Sequence, residues 1–144
     1  MILYINTTER DFLKFALIDK SEVFLSINNI GNKQSENMIF LLNKFLKSRR
    51  IKLTSLTKII VNRGPGSFTS VRIGIVLANT FSYALKIPII GIDNFSPVKK
   101  EDYLGLLECE SKEEFIKPFY YKEANITKSK SEILSIKQIG NSKS

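Results

Sequence analysis

The sequence predicts a single α/β lobe with the element order β-β-β-α-β-α-β. Three observations carry that reading. Three short apolar or alternating segments open the chain, and the link between the second and third is too brief for a crossover. Two helix-length segments then alternate with two further strand-like runs. A Gly-Pro-Gly turn joins the fourth strand to the second helix. At 144 residues the chain suits one core of ordinary size. Its 43% hydrophobic content fits a globular protein rather than a disordered one.

Each element has its own signal. Ile2–Asn6 is an apolar run ending in Asn-Thr-Thr, the mark of a buried strand. Phe12–Asp19 is a second strand. Ser21–Asn28 alternates, with Val23, Leu25 and Ile27 on one face, and the short Asp19-Lys20 link predicts an antiparallel hairpin. Residues 28–33 read as a loop, rich in Asn. Ser35–Arg50 reads as a helix, with Ser35 as N-cap, Glu36 at its positive end and Lys47, Arg49 and Arg50 at its negative end. Met38, Leu41, Leu42 and Phe45 form its core stripe, widened by Ile39, Phe40 and Leu46. Lys58–Asn62 is the fourth strand, Phe68–Lys86 the second helix and Pro88–Ile92 the fifth strand. Three antiparallel strands followed by alternating helices and strands describe an RNase-H-like lobe, the building block of actin-like ATPases. The lobe is expected to end near Pro97. Residues 98–144 are expected to be an acidic linker, a short strand over Ile116–Tyr121 and a flexible Lys/Ser-rich tail.

Composition excludes several chemistries. The chain has no histidine, the commonest general base and metal ligand. A zinc site built from Cys and His is therefore excluded, and no metal site is expected. Its one cysteine, Cys109, cannot form an internal disulfide, which fits a reducing compartment. The first strand begins at Ile2, which leaves no room for a signal peptide, and no apolar run is long enough to cross a bilayer. A cytoplasmic protein without a membrane partner is the expectation.

Charge is uneven. Residues 1–98 carry 13 Lys/Arg against 6 Asp/Glu, whereas residues 99–144 carry 9 against 8. The basic excess, notably Lys44, Lys47, Arg49, Arg50, Lys52 and Lys58, suits RNA, an acidic protein or simply a solvated lysine-rich surface. No exposed aromatic platform of the kind that stacks single-stranded bases is evident.

The turn Gly64-Pro-Gly-Ser-Phe-Thr69 permits backbone conformations that other residues resist. Ser67 is placed to cap the following helix, and the first helical amides then point into the turn. Two readings stay open: an anion site, or a tight strand-to-helix turn with a normal cap. It is not a Walker A loop, because no Lys-Ser or Lys-Thr follows the glycines. The second helix is apolar nearly all round. Val71, Ile75, Ala78, Ser82 and Leu85 suit the sheet, while Ile73, Val76, Leu77, Thr80 and Ala84 need another cover, either a protein partner or the chain's own tail. Gly74, Ala78 and Ser82 form a small-residue stripe that permits close helix approach. A protease reading fails, since neither Ser67 nor Cys109 has a histidine to activate it.

Gly64-Pro-Gly-Ser-Phe-Thr-Ser-Val-Arg-Ile-Gly74 resembles the signature of the TsaB (YeaZ) family of tRNA threonylcarbamoyladenosine biosynthesis proteins. Weaker matches follow in order: Ile2–Glu9, Ser35-Glu36, Ile87-Pro-Ile-Ile-Gly91 and Lys117-Pro-Phe-Tyr-Tyr-Lys122. The resemblance implies an actin-like fold and a noncatalytic subunit. Such a subunit pairs with a catalytic homologue, TsaD, through the two lobe helices and works with an ATPase subunit, TsaE. Together they modify adenosine thirty-seven of tRNA, which this subunit would meet indirectly. A homodimer is expected when the partner is absent.

On this resemblance the partner surface would comprise Met38, Ile39, Leu42, Phe45 and Leu46 on the first helix. The second helix would add Arg72, Ile73, Val76, Leu77, Thr80 and Ala84. Anion or nucleotide contacts would fall on Asn6, Thr7, Gly64, Gly66, Ser67 and Thr69. Three departures stand out. The chain is shorter than the family's usual members, and residues 98–116 are expected to stand in place of nearly all of the second lobe. Asn6 stands where the family favours Asp, and an amide brings no charge for magnesium. Ser70 replaces a glycine of the signature. No cofactor of its own is expected, and ATP or ADP only within the complex.

Overall fold

The computed structural model describes residues 1–31, 34–110 and 116, with residues 34–36 described by their backbone. Its strands are β1 (Ile2–Asn6), β2 (Phe12–Ile18), β3 (Val23–Asn29), β4 (Lys58–Asn62) and β5 (Ile89–Ile92). They form one sheet in the order β3-β2-β1-β4-β5. The short Asp19–Glu22 connection makes β2 and β3 an antiparallel hairpin, closed by the Asp19 amide on the Glu22 carbonyl at 2.9 Å. β1 pairs antiparallel with β2 and parallel with β4, and β4 pairs parallel with β5. Helix α1 (Gln34–Ser48) links β3 to β4, and α2 (Phe68–Leu85) links β4 to β5. This is the RNase-H-like arrangement that the element order predicts.

Strand alternation divides the core in two. Leu3, Ile5, Phe15, Leu17, Ile59 and Val61 face one side, under Met38, Leu42, Phe45 and Leu46 of α1 and Val71, Ile75, Leu77 and Ala78 of α2. Ile2, Tyr4, Ala16, Ile18, Ile60 and Ile90 face the other. That second face is covered by Tyr103 of the short helix α3 (Lys100–Leu104) and Leu106 of the 3-10 turn Gly105–Glu108. Tyr4, Phe95 and Tyr103 meet edge to face there, with ring centroids 5.5 to 6.1 Å apart.

The acidic stretch after Pro97 is thus not a linker. Asp102 Oδ2 accepts the Val98 and Lys99 amides at 2.8 and 3.0 Å, which starts α3 and holds the carboxyl below its ordinary pKa. Its exposed acids point to water while Tyr103 and Leu106 turn inward, so the core extends beyond the expected boundary at Pro97. The expected strand at Ile116–Tyr121 lies outside the described residues apart from Ile116, as do the tail after it and the capping side chains of Ser35 and Glu36. Ile116 itself is buried against the α1–α2 side. The Asn79 side chain holds it with two hydrogen bonds, accepting from its amide at 2.9 Å and donating to its carbonyl at 3.0 Å.

Both long helices end alike. Arg50 and Lys86 take left-handed φ values of 58° and 57° just past α1 and α2. The next amide, of Ile51 or Ile87, returns to the carbonyl of Leu46 or Ser82 at 2.9 or 3.2 Å. A side chain at such a φ costs about 1 kcal/mol relative to glycine. Lys86→Gly is therefore expected to stabilise the lobe by about 1 kcal/mol. The check is a urea midpoint that rises with unchanged slope.

Candidate functional site

The turn after β4 is built against the end of β1. Thr7 is fully buried, and its Oγ1 donates to the Ser70 carbonyl in the first turn of α2 at 2.6 Å. Gly74, one helical turn on, packs onto the same threonine: a Cβ there would crowd Thr7 Oγ1 and stand 3.0 Å from its Cγ2. Gly66 does the same against Thr8, where an added Cβ would crowd the carbonyl oxygen and stand 2.8 Å from Thr8 Cβ. The Ser67 amide donates to that Thr8 carbonyl at 3.1 Å. Gly64 has a φ of 114°, which favours glycine. Its amide donates to Asn62 Oδ1 at 3.1 Å. The glycines of the signature are thus spacers that let α2 seat on successive threonines of β1's end. The small-residue stripe Gly74, Ala78 and Ser82 is buried on that inner side rather than left open to another helix.

Of the expected anion contacts, Asn6 and Thr7 lie buried at the strand end. Asn6 Oδ1 accepts the Thr8 amide at 2.9 Å and the Thr8 hydroxyl at 2.8 Å. Gly64 and Gly66 shape the turn. Ser67 occupies the N-cap position, but its side chain makes no capping bond, unlike the expected cap. Thr69 is exposed and lines a shallow groove with Phe68, Arg72, Ile73 and Val76. Asn62 and Thr8 were missed as organisers of the turn. Asn62 Nδ2 donates to Tyr4 Oη at 3.2 Å and to the Phe95 carbonyl at 3.0 Å. Burial pushes the Tyr4 hydroxyl pKa up despite the hydrogen bond from Asn62.

These groups do not fit a magnesium–nucleotide site. Magnesium is held through carboxylates, and the strand end offers two amides instead, Asn6 and Asn62. The Asn6 oxygen and the Ser67 amide are committed to Thr8, and the Gly64 amide to Asn62. Among the described residues no group of three or more His, Cys, Asp or Glu is placed to hold a metal.

The expected partner surface divides. Met38, Leu42, Phe45 and Leu46 of α1 and Leu77 of α2 are core residues of the lobe itself, so they do not form an outward surface. Ile73 is half-buried. Ile39, Arg72, Val76, Thr80 and Ala84 are exposed. The sequence reading missed Phe68 and Tyr83, which are 55% and 88% exposed. With Arg72, Val76, which is 62% exposed, and Thr80, they form one stripe along α2 at three- and four-residue spacing. Arg72 lies over the Phe68 ring, 5.4 Å from its centroid. No described helix is long and apolar enough to cross a membrane.

The seating of α2 is testable. Gly74→Ala is expected to cost about 1 to 3 kcal/mol, because the new methyl must displace a buried threonine that is hydrogen-bonded to the same helix. Thermal denaturation of both proteins checks it. An unchanged midpoint would show that α2 shifts freely.

The family model described as TsaD, tRNA N6-adenosine threonylcarbamoyltransferase, matches residues 29–98. The tRNA threonylcarbamoyladenosine biosynthesis protein TsaB of Buchnera aphidicola subsp. Schizaphis graminum is 32% identical over 96 residues, covering 67% of this chain and 45% of that protein. TsaB of Bacillus subtilis (strain 168) is 51% identical over 39 residues, 27% of this chain and 17% of that protein. The chain thus spans about half the length, or less, of these curated relatives. The fold is that of YeaZ from Pseudomonas aeruginosa, with a TM-score of 0.61 at 22% identity over 65% of this chain and 44% of that one. Signature, sequence and fold agree: the chain belongs to the TsaB (YeaZ) family, matched over its N-terminal lobe.

Proposed function

We propose that this lobe is a noncatalytic subunit of the machinery that makes threonylcarbamoyladenosine in tRNA, and that it pairs with a catalytic TsaD-type subunit. The observation that carries the reading is the exposed stripe of α2, in which Phe68, Val76 and Tyr83 present apolar area to water, as Ile39 of α1 also does. Such a stripe on a small lobe marks a protein interface. The relatives named for this modification support the pathway, and the TsaD-type family model supports the kind of partner. A noncatalytic role is supported by the residues themselves: the sequence has no histidine, and the strand end carries amides rather than carboxylates. In this proposal ATP or ADP enters only with the complex, through the ATPase subunit TsaE. The complex works in the cytoplasm, and without the partner the same stripe pairs two copies of the chain.

The interface is tested by size-exclusion chromatography with the TsaD-type subunit of the same organism. Val76→Asp is expected to weaken pairing at least tenfold with unchanged thermal stability, since Val76 already faces water. Leu77→Asp is expected to unfold the lobe instead, because Leu77 is only 8% exposed. If a Val76→Asp, Tyr83→Asp double variant still forms the complex at wild-type affinity, the α2 stripe is not the interface.

A further inference from the structure

From Asn37 to Ile92 the sequence carries nine Lys/Arg and no Asp or Glu. The fold sorts these cations. Arg63 is paired with Asp93 through a two-pronged contact at 2.7 and 2.9 Å. Arg49 stacks on Phe24, 4.5 Å from the ring centroid. Lys58 donates to the Cys109 carbonyl at 2.7 Å. Lys44, Lys47, Arg50 and Lys52 are exposed, and none has an ion-pair partner among the described residues. Two of them, Lys44 and Lys47, follow along the same helix side an aromatic ring that sequence reading placed in the apolar run of α1. Phe40 is 64% exposed. With Asn43, Lys44, Lys47 and Ser48 it lines a shallow groove of about 520 Å³ along the outer side of α1.

At helical spacing, Phe40, Lys44 and Lys47 lie on the side opposite the buried Leu42 and span about 10 Å. Ile39 lies on a flank, so this ridge is separate from the stripe assigned to the protein partner. We infer that the outer ridge of α1 binds RNA directly, with phosphates on Lys44 and Lys47 and one unstacked base on the Phe40 ring. Cations on a stretch of helix without carboxylates attract a polyanion, and an exposed ring one turn before them offers a stacking face that every base can use. Arg50 and Lys52 continue the positive track past the helix end. The inference takes only the identity of the RNA from the proposed tRNA role; the surface chemistry is its own.

The test measures fluorescence anisotropy of the full chain with labelled unfractionated tRNA and with an oligouridylate, across a salt series. Binding is expected to weaken as salt rises. Lys44→Glu with Lys47→Glu is expected to lower affinity at least tenfold and to reduce the log–log salt slope by about 2. Lys44→Gln with Lys47→Gln gives the same direction without reversing charge. Phe40→Ala is expected to lower affinity severalfold, about fivefold or more, with the slope unchanged. Circular dichroism and pairing with the TsaD-type subunit should be retained by all three. Wild-type binding that ignores salt, or lysine variants that bind like wild type, would overturn the inference. So would lysine variants that lose the protein partner while keeping RNA. Val76→Asp separates the two readings: it should weaken pairing at least tenfold and leave RNA affinity intact.

Discussion

The close seating of α2 on the end of β1 governs the rest of the lobe. Gly74 lets the helix backbone reach Thr7, and Gly66 lets the turn reach Thr8. The Thr7 hydroxyl then fastens the helix through the Ser70 carbonyl. With the helix held at that height, Val71, Ile75 and Ala78 bury against the central strands. Each large aliphatic buried this way contributes about 1.5 to 3 kcal/mol. The same rotation that turns those residues inward turns Phe68, Val76 and Tyr83 outward. The exposed stripe is therefore a consequence of where two glycines allow the helix to sit.

Around that contact the lobe uses amides where a nucleotide-binding relative would need carboxylates. An amide both donates and accepts, and Asn62 does both: it donates to Tyr4 and Phe95 and accepts from Gly64. A carboxylate in its place could not donate to the Phe95 carbonyl and would bring a buried charge. Asn6 is likewise occupied by Thr8. The polar groups of the strand end thus hold the turn together.

Much of this was legible in the sequence. Alternation and turn chemistry gave β1 and β4 their bounds to the residue, since buried central strands in such a lobe are short and end at polar residues. The sheet-facing set of α2 was legible too, because Val71, Ile75, Ala78 and Ser82 recur with the helical period. What failed is the allotment of its remaining faces. Val76 and Leu77 are neighbours in a uniformly apolar helix, and only tertiary packing decides that one is exposed and the other buried. Phe40 was hidden in the same way by the apolar residues around it. Residues 98–110 were misread because their carboxylates obscure the inward pair Tyr103 and Leu106. The clasp of Ile116 by Asn79 joins residues 37 positions apart, and no local pattern announces it.

The two faces of the sheet are covered unequally, and that imbalance sets an order of opening. Among the described residues one face lies under helices of 15 and 18 residues, and the other under a helix of 5 residues and a turn. Local unfolding takes its cheapest route through the smaller cover, so the region around Tyr103 is the weakest cooperative unit of the described lobe. Its release strips Tyr4 and Phe95 of their third ring. It also loosens the Phe95 carbonyl that holds Asn62, the residue that fixes the amide of Gly64. Amide exchange in the signature turn is thereby coupled to breathing on the far side of the sheet.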